Sequence, residues 1–210
     1  MFIGHFAIAY IVIHFFPGIP PLVPLAGVSF PDLLWPFLIL AGIEKVRIDP
    51  GSPLQKNIEF SSYPYSHSLL ITTGIAVMAG AGIGIWLSPM AGLIFILCSA
   101  SHWVLDTIVH QRDLPVFGVS HDIREGFGLW NYPKTAFLTE YVFYVVITIA
   151  VMPLITAIGL ILVGSVFHLI NANSFFGFTK SNPFRTAGAY ALLTLVGFVA
   201  FIIAANAVIS

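Results

Sequence analysis

"HSLLITTGIAVMAGAGIGIWLSPMAGLIFILCSASHWVLDTIVH", residues 67–110, decides the architecture. Residues 67–87 and 90–110 are each long enough, at about 1.5 Å per helical residue, to cross a hydrocarbon layer of about 30 Å. Only Ser88 and Pro89 separate them, which predicts a tight hairpin of two membrane helices. The glycines of "GIAVMAGAGIGIW" supply the small side chains that let such helices approach closely. The second helix ends on a polar stripe, His102, Asp106 and His110, at four-residue steps along one helical face. An ionised Asp near a membrane-helix centre costs about 2.5–3.5 kcal/mol on insertion scales. Something must offset that cost.

Composition agrees with the membrane reading. The chain has 210 residues, 58% hydrophobic and 8% charged, with a mean hydropathy of +0.97. A soluble domain carries about 25% charged residues. The net charge of −1 lacks the basic footprint of a nucleic-acid binder, so no nucleic acid is expected as a partner. Cys98 is the only cysteine, which excludes a disulfide framework and a cysteine-rich metal site. The opening "MFIGHFAIAYIVIHFF" lacks the basic and small-residue signals of a cleaved leader and reads as part of the mature fold.

Outward from the hairpin, a final span is expected at about 185–209. Residues 135–170 are apolar and broken at Pro153, which favours two short helices. The first 32 residues read as a short helical pair, 2–16 and 21–31, joined by "PGIPP" and short enough to be re-entrant. Residues 33–43, "LLWPFLILAGI", would lie along the interface or dip back into it. The expected fold is thus all-α: one polytopic membrane-embedded domain over 1–210 with about five to eight membrane segments. Its site-bearing part covers about 1–134 and its C-terminal helices 135–210.

All eight Lys and Arg fall in or beside segments 44–65, 111–134 and 180–185. In the hairpin layout these share one side of the membrane, and the positive-inside bias makes that side cytoplasmic. The expected location is the prokaryotic cytoplasmic (inner) membrane, with the site near its charged face. His5, Asp32, His67 and the 102/106/110 trio all land near that face. Imidazole and carboxylate together suit zinc or a similar divalent ion, and a dication would stabilise a desolvated Asp. "VSHDIREGFG" adds His121 and Glu125, four apart, on a helical turn that Ser120 would cap and Gly126 would stop.

Each residue also has a plainer reading. Asp106 alone suits a buried hydrogen-bonding group, and with His102 an ion pair. His5 and His67 suit polar helix ends, and Asp32 after Pro31 suits turn chemistry. His14 falls on the helix face opposite His5, and His168 reads as structural. Trp35, Trp86, Trp103 and Trp130 read as interfacial anchors.

Four stretches in order, "GHFAIAY", "FPDLLWP", "YPYSHSLL" and "SHWVLDTIVH", resemble the YdjM-type family of membrane-bound metal-dependent hydrolases. The likeness covers about the first 110 residues. That family is in turn similar to zinc-dependent phospholipase C and the related zinc nucleases, helical bundles that hold zinc through His, Asp and Glu. The resemblance implies one metal among Asp32, His67, His102 and Asp106, with Asp106 bridging to a second ion at His5. It implies a third at His110, His121 and Glu125. The soluble enzymes also use a mature N-terminal amine as a ligand, whereas Met1 and Phe2 precede His5 here.

The function this implies is hydrolysis of a phosphoester by a metal-activated water, and the expected position of the site at the interface makes a lipid or other amphiphile the expected substrate. The metal would be zinc, one to three ions, with manganese an alternative. Asp32 and Asp106 would be the catalytic carboxylates, and Arg112 or Arg124 could neutralise the phosphate. Trp35, Trp103, Trp130 and Tyr132 would rim an interfacial site. Two other classes stay open: a proton or cation transporter built on the His/Asp cluster, and a non-catalytic scaffold braced by metal.

Overall fold

The computed structural model describes residues 1–210 and contains eight α-helices. They are α1 Ile3–Phe15, α2 Leu22–Leu40, α3 Leu69–Trp86, α4 Pro89–Val109, α5 Pro133–Val151, α6 Leu154–Ile170, the single turn α7 Asn173–Phe176, and α8 Ala187–Ile209. Local chemistry sets several helix starts. Ser68, Ser88 and Thr186 each accept the backbone N–H three residues on, opening α3, α4 and α8. Pro89 and Pro133 occupy first-turn positions, where a missing N–H costs nothing. Pro153 separates α5 from α6, so 135–170 is two helices as expected.

Helices α2, α3, α4, α5 and α8 are long and apolar enough to cross a membrane; α1 and α6 are shorter. Their outward faces are apolar, with Met78, Ile85, Leu97, Val146, Ile155 and Ile203 exposed. An outer surface of this kind suits lipid rather than water, and the chain is an integral membrane protein. In the α3–α4 hairpin the backbones nearly touch: a Cβ on Gly80 would sit 2.8 Å from the Gly92 carbonyl. Any larger residue there would force the pair apart.

The α2 helix departs from expectation. It does not stop at Pro31 but runs through Pro31 and Pro36 to Leu40, so residues 33–43 are largely a continuation of the span. Asp32 is therefore inside a helix rather than at its end. Prolines are tolerated inside a membrane helix when neighbours satisfy the freed backbone groups and hold its shape. Here α2 packs on both α4 and α8, and a Cβ on Gly27 would lie 2.7 Å from Cys98 of α4.

At one end of the bundle the long connections pack together. Strand β1 (Lys45–Arg47) pairs antiparallel with β2 (Glu59–Ser62), and β3 (Leu114–Pro115) with β4 (Arg124–Glu125). Asn182 N–H donates to the Pro50 carbonyl, tying the third connection to the first. Every Lys and Arg belongs to this end, and the opposite turns at 16–21, 87–88 and 152–153 carry no charge. The main core joins Ile3, Phe6, Tyr10, Val28, Phe95, Leu160 and Phe201 from five helices. A smaller cluster, Trp35, Ile39, Tyr63, Leu114 and Ala191, seals the loops onto α2 and α8.

Candidate metal centre

Two carboxylates lie at the centre of the site. Asp106, one turn from the end of α4, is buried; Asp32 from α2 is mostly buried but keeps 16% of its side chain open. Four histidines face them. His5 Nε2 from α1 lies 3.1 Å from Asp106 Oδ1, and its ring stacks on His102 with centroids 3.7 Å apart. His102 Nε2 lies 3.2 Å from Asp106 Oδ2 and 3.5 Å from Asp32 Oδ2. His67 Nε2 is 3.4 Å from Asp32 Oδ1 and 4.0 Å from Asp106 Oδ2. His110, the residue that caps α4, brings its Nε2 within 3.6 Å of Asp106 Oδ2.

The opposite nitrogen of three of these rings is already committed. His102 Nδ1 lies 2.7 Å from the Val28 carbonyl, which can only accept, so Nδ1 carries the hydrogen. His110 Nδ1 is 3.1 Å from Asp113 Oδ1, again a pure acceptor. His67 Nδ1 is 2.8 Å from Ser66 Oγ, whose hydroxyl donates to Glu44 Oε2 at 2.6 Å. A serine that has given its one hydrogen to a carboxylate can only accept from His67. In the neutral form each of the three rings therefore points a bare Nε2 lone pair at a carboxylate oxygen.

Lone pair against carboxylate is repulsive unless a proton or a metal cation lies between them. Neither His5 nitrogen nor His102 Nε2 has a hydrogen-bond partner, although all are buried. Two triplets, His5–His102–Asp106 and Asp32–His67–His102, each bring one ligand atom per residue within 4.8 Å of the others. The donor set is nitrogen and oxygen, and on His67 and His102 an anchored Nδ1 stands behind it, the arrangement that orients histidine for a divalent metal; His5 is held by its stacking on His102 instead. The Met1 amino group supplies one positive charge, 2.5 Å from Asp106 Oδ1. It leaves Asp106 Oδ2 and both Asp32 oxygens facing lone pairs.

The supports behind these ligands have no motif in the sequence. Glu44, buried after α2, accepts the Tyr65 and Ser66 N–H groups as well as the Ser66 hydroxyl. Glu140 in α5 accepts Phe2 and Gly4 N–H, at 2.5 and 3.1 Å, and so caps α1, which has no acid or capping side chain of its own. Tyr63 Oη lies 3.4 Å from His110 Nδ1. Burial, and then the Asp113 carboxylate, pushes its phenol well above the ordinary range, so it stays protonated. The only signal available was Ser66 immediately before His67; the acids announce themselves by burial alone.

His121 and Glu125 do not share a helical face. Residues 116–123 connect β3 to β4 with a turn at 120–121, where His121 takes a left-handed φ of 62°. Asp122 is the reason: its carboxylate accepts the Phe117 and Gly118 N–H groups and folds the chain back. His121 is exposed, Glu125 sits in β4 opposite Leu114, and neither joins the two triplets. Arg112 and Arg124 are exposed, and Arg124 donates to the Asp113 carbonyl at 3.0 Å.

A cavity of about 420 Å³ opens on the cluster. Asp32, His67, Asp106 and His110 lie on its floor, and Trp35 and Trp130 in its wall. These two tryptophans are buried rather than interfacial, because they pack on Phe60 between the loops and the helices. Trp86 is exposed on the bundle surface, as an anchor would be, while Trp103 donates to the Pro115 carbonyl and holds β3. Exposed Tyr132 does not line the cavity. His168 stacks on Phe137 and bonds its carbonyl, a packing role. Comparison with protein-family models, with curated proteins and with solved structures finds no match.

Proposed function

We propose that this chain is a membrane-embedded, metal-dependent hydrolase that cleaves a phosphoester of a lipid, as its resemblance to the YdjM-type family implies. The observation that carries the reading is the set of anchored imidazoles whose free Nε2 atoms meet two buried carboxylates with nothing to separate like from like. Zinc is the ion this nitrogen and oxygen set suits best, with manganese next. His5, His102 and Asp106 would hold one ion; Asp32, His67 and His102 outline a second position beside it. Such ions lower the pKa of a bound water and polarise a phosphoryl oxygen.

The chain's own residues supply the rest. Asp32 is the carboxylate most open to the cavity, so it is placed to orient a water or take its proton. No Lys or Arg lines the cavity, and three acids do: Asp32, Asp106 and Glu140. An anionic ester enters such a cavity only when cations have neutralised it. Trp130 and Trp35 restrict bulk water. The clustering also favours hydrolysis over a cation pathway: segments 1–31, 66–105, 141–179 and 186–210 contain no Asp, Glu, Lys or Arg to relay charge through the membrane.

Elemental analysis of purified protein should find at least one tightly held zinc or manganese per chain. With that metal it should release a phosphorylated head group or phosphate from phospholipid vesicles. Chelation, or His102→Ala combined with Asp106→Ala, should abolish both metal and turnover. Turnover that persists in that double variant would refute the proposal. Metal that binds and stabilises without turnover would make the site a structural brace.

A further inference from the structure

The cavity does not end at the polar cluster. Its far wall is apolar and comes from two helices that contribute no ligand: Phe167 and Ile170 of α6, with Leu193, Val196, Gly197 and Ala200 of α8. These helices touch at their other ends, where a Cβ on Gly159 would sit 2.7 Å from Val208. Toward the charged end they are parted by the cavity, leaving a wedge-shaped cleft. Ile170 is 69% exposed and Val196 57% exposed. Side chains that wall an enclosed cavity would be buried, so exposure of this order means the cleft is open along its α6–α8 edge. Because α8 is long and apolar enough to span a membrane, an opening along its flank would meet lipid.

We infer that a bilayer phospholipid enters through this mouth, with one acyl chain lodged between α6 and α8 and its phosphate at Asp32, His67, Asp106 and His110. The inference rests on the proposed metal centre to hold the phosphate and on the proposed hydrolysis for what happens to the head group; the lodged acyl chain stands on the cleft alone. Three features select a lipid chain over a water-soluble ester. The cleft walls carry no charge, the mouth would meet lipid, and the polar and apolar parts form one continuous cavity. From Tyr190 to Ala200 along α8 the lining covers about 15 Å at the rise of an α-helix, room for much of an acyl chain. The polar end of the lining, Gln55, Asn171 and Asn182, is uncharged and suits glycerol and ester oxygens.

Gly197 is the position at which to test this. A Cβ there meets only the Phe2 ring edge at 3.9 Å, so a large side chain would project into the cleft without displacing backbone. The probe is phosphatidylcholine vesicles containing a phosphatidylglycerol with a diazirine on one acyl chain. After illumination of the zinc-loaded protein, adducts mapped by mass spectrometry should concentrate on Phe167, Leu193, Val196 and Ala200. Gly197→Phe should reduce them about tenfold, since displacing even a pair of methylenes has that effect, with zinc content unchanged. Ala200→Phe provides the same block one turn deeper, and Ile149→Phe, exposed on α5 away from the cavity, should change nothing. Adducts spread evenly over all outward faces, or undiminished in both blocking variants, would overturn the inference. Hydrolysis of p-nitrophenyl phosphate alongside that result would leave the hydrolase standing without a lodged chain. Cleft adducts in a protein that hydrolyses nothing would do the reverse.

Discussion

The hydroxyl of Ser66 has a single hydrogen, and Glu44 takes it. That one fact fixes the tautomer of His67, because the serine oxygen can then only accept from Nδ1. Val28 and Asp113 do the same for His102 and His110 through a carbonyl and a carboxylate. Three different supports thus deliver the same outcome, an Nε2 free of hydrogen and turned toward the carboxylates. Ser66→Ala should lower metal affinity about 10–100-fold, the usual cost of losing an outer partner of a histidine ligand. Competition against a zinc chelator measures it, and Ser66→Thr, which keeps the hydroxyl, should restore binding. The residues that would reach a metal directly were largely legible, since His102, Asp106 and His110 repeat at helical spacing in an apolar run. Glu44 was not. It meets Ser66 across 22 positions of chain, and no local pattern distinguishes it from a solvated loop acid.

Among the elements, α1 depends most on another. Its first-turn N–H groups have no acceptor in their own segment, and Glu140 of α5 supplies one. Since α1 carries His5, the cap also positions a candidate ligand. Glu140→Ala would leave buried donors unsatisfied and should destabilise the fold by about 1–3 kcal/mol, seen as a lower melting temperature in detergent. The hairpin of α3 and α4 was readable because Ser88 and Pro89 are both a stop for one helix and a start for the next. The length of α2 was not, because the local rule ends a helix at Pro31. The rule fails here since α4 and α8 hold the segment in line. The β3–β4 turn shows the converse error: His121 and Glu125 have helical spacing, but Asp122 captures the backbone first.

At the scale of the whole molecule, three helices and a loop converge on the two carboxylates: α1 through His5, α2 through Asp32, α4 through His102, Asp106 and His110, and the α2–α3 connection through His67. An ion that binds only this assembled arrangement stabilises the entire bundle. Saturating zinc at about 100 times its dissociation constant should add about 2.7 kcal/mol, and chelation should lower the melting temperature correspondingly. His102→Ala should abolish that response. The charged end should face the cytoplasm by the distribution of Lys and Arg. Cys98 is buried, so single engineered cysteines report topology cleanly. Leu87→Cys should label with an impermeant maleimide from outside intact cells, and Glu59→Cys only after lysis; the opposite pattern would invert the orientation.

The sequence by itself determined the membrane class, the helical hairpins and the charged end, because these follow from apolar run length, capping residues and the placement of eight basic groups. Such features are properties of short stretches and hold whatever the neighbours do. Only the tertiary structure decided which imidazole nitrogen is free, that Glu44 and Glu140 serve the site from a distance, that Asp32 lies within a helix, and that the cavity runs on between α6 and α8. Those depend on what packs beside each residue, and in a bundle the partners are tens to more than a hundred positions away along the chain.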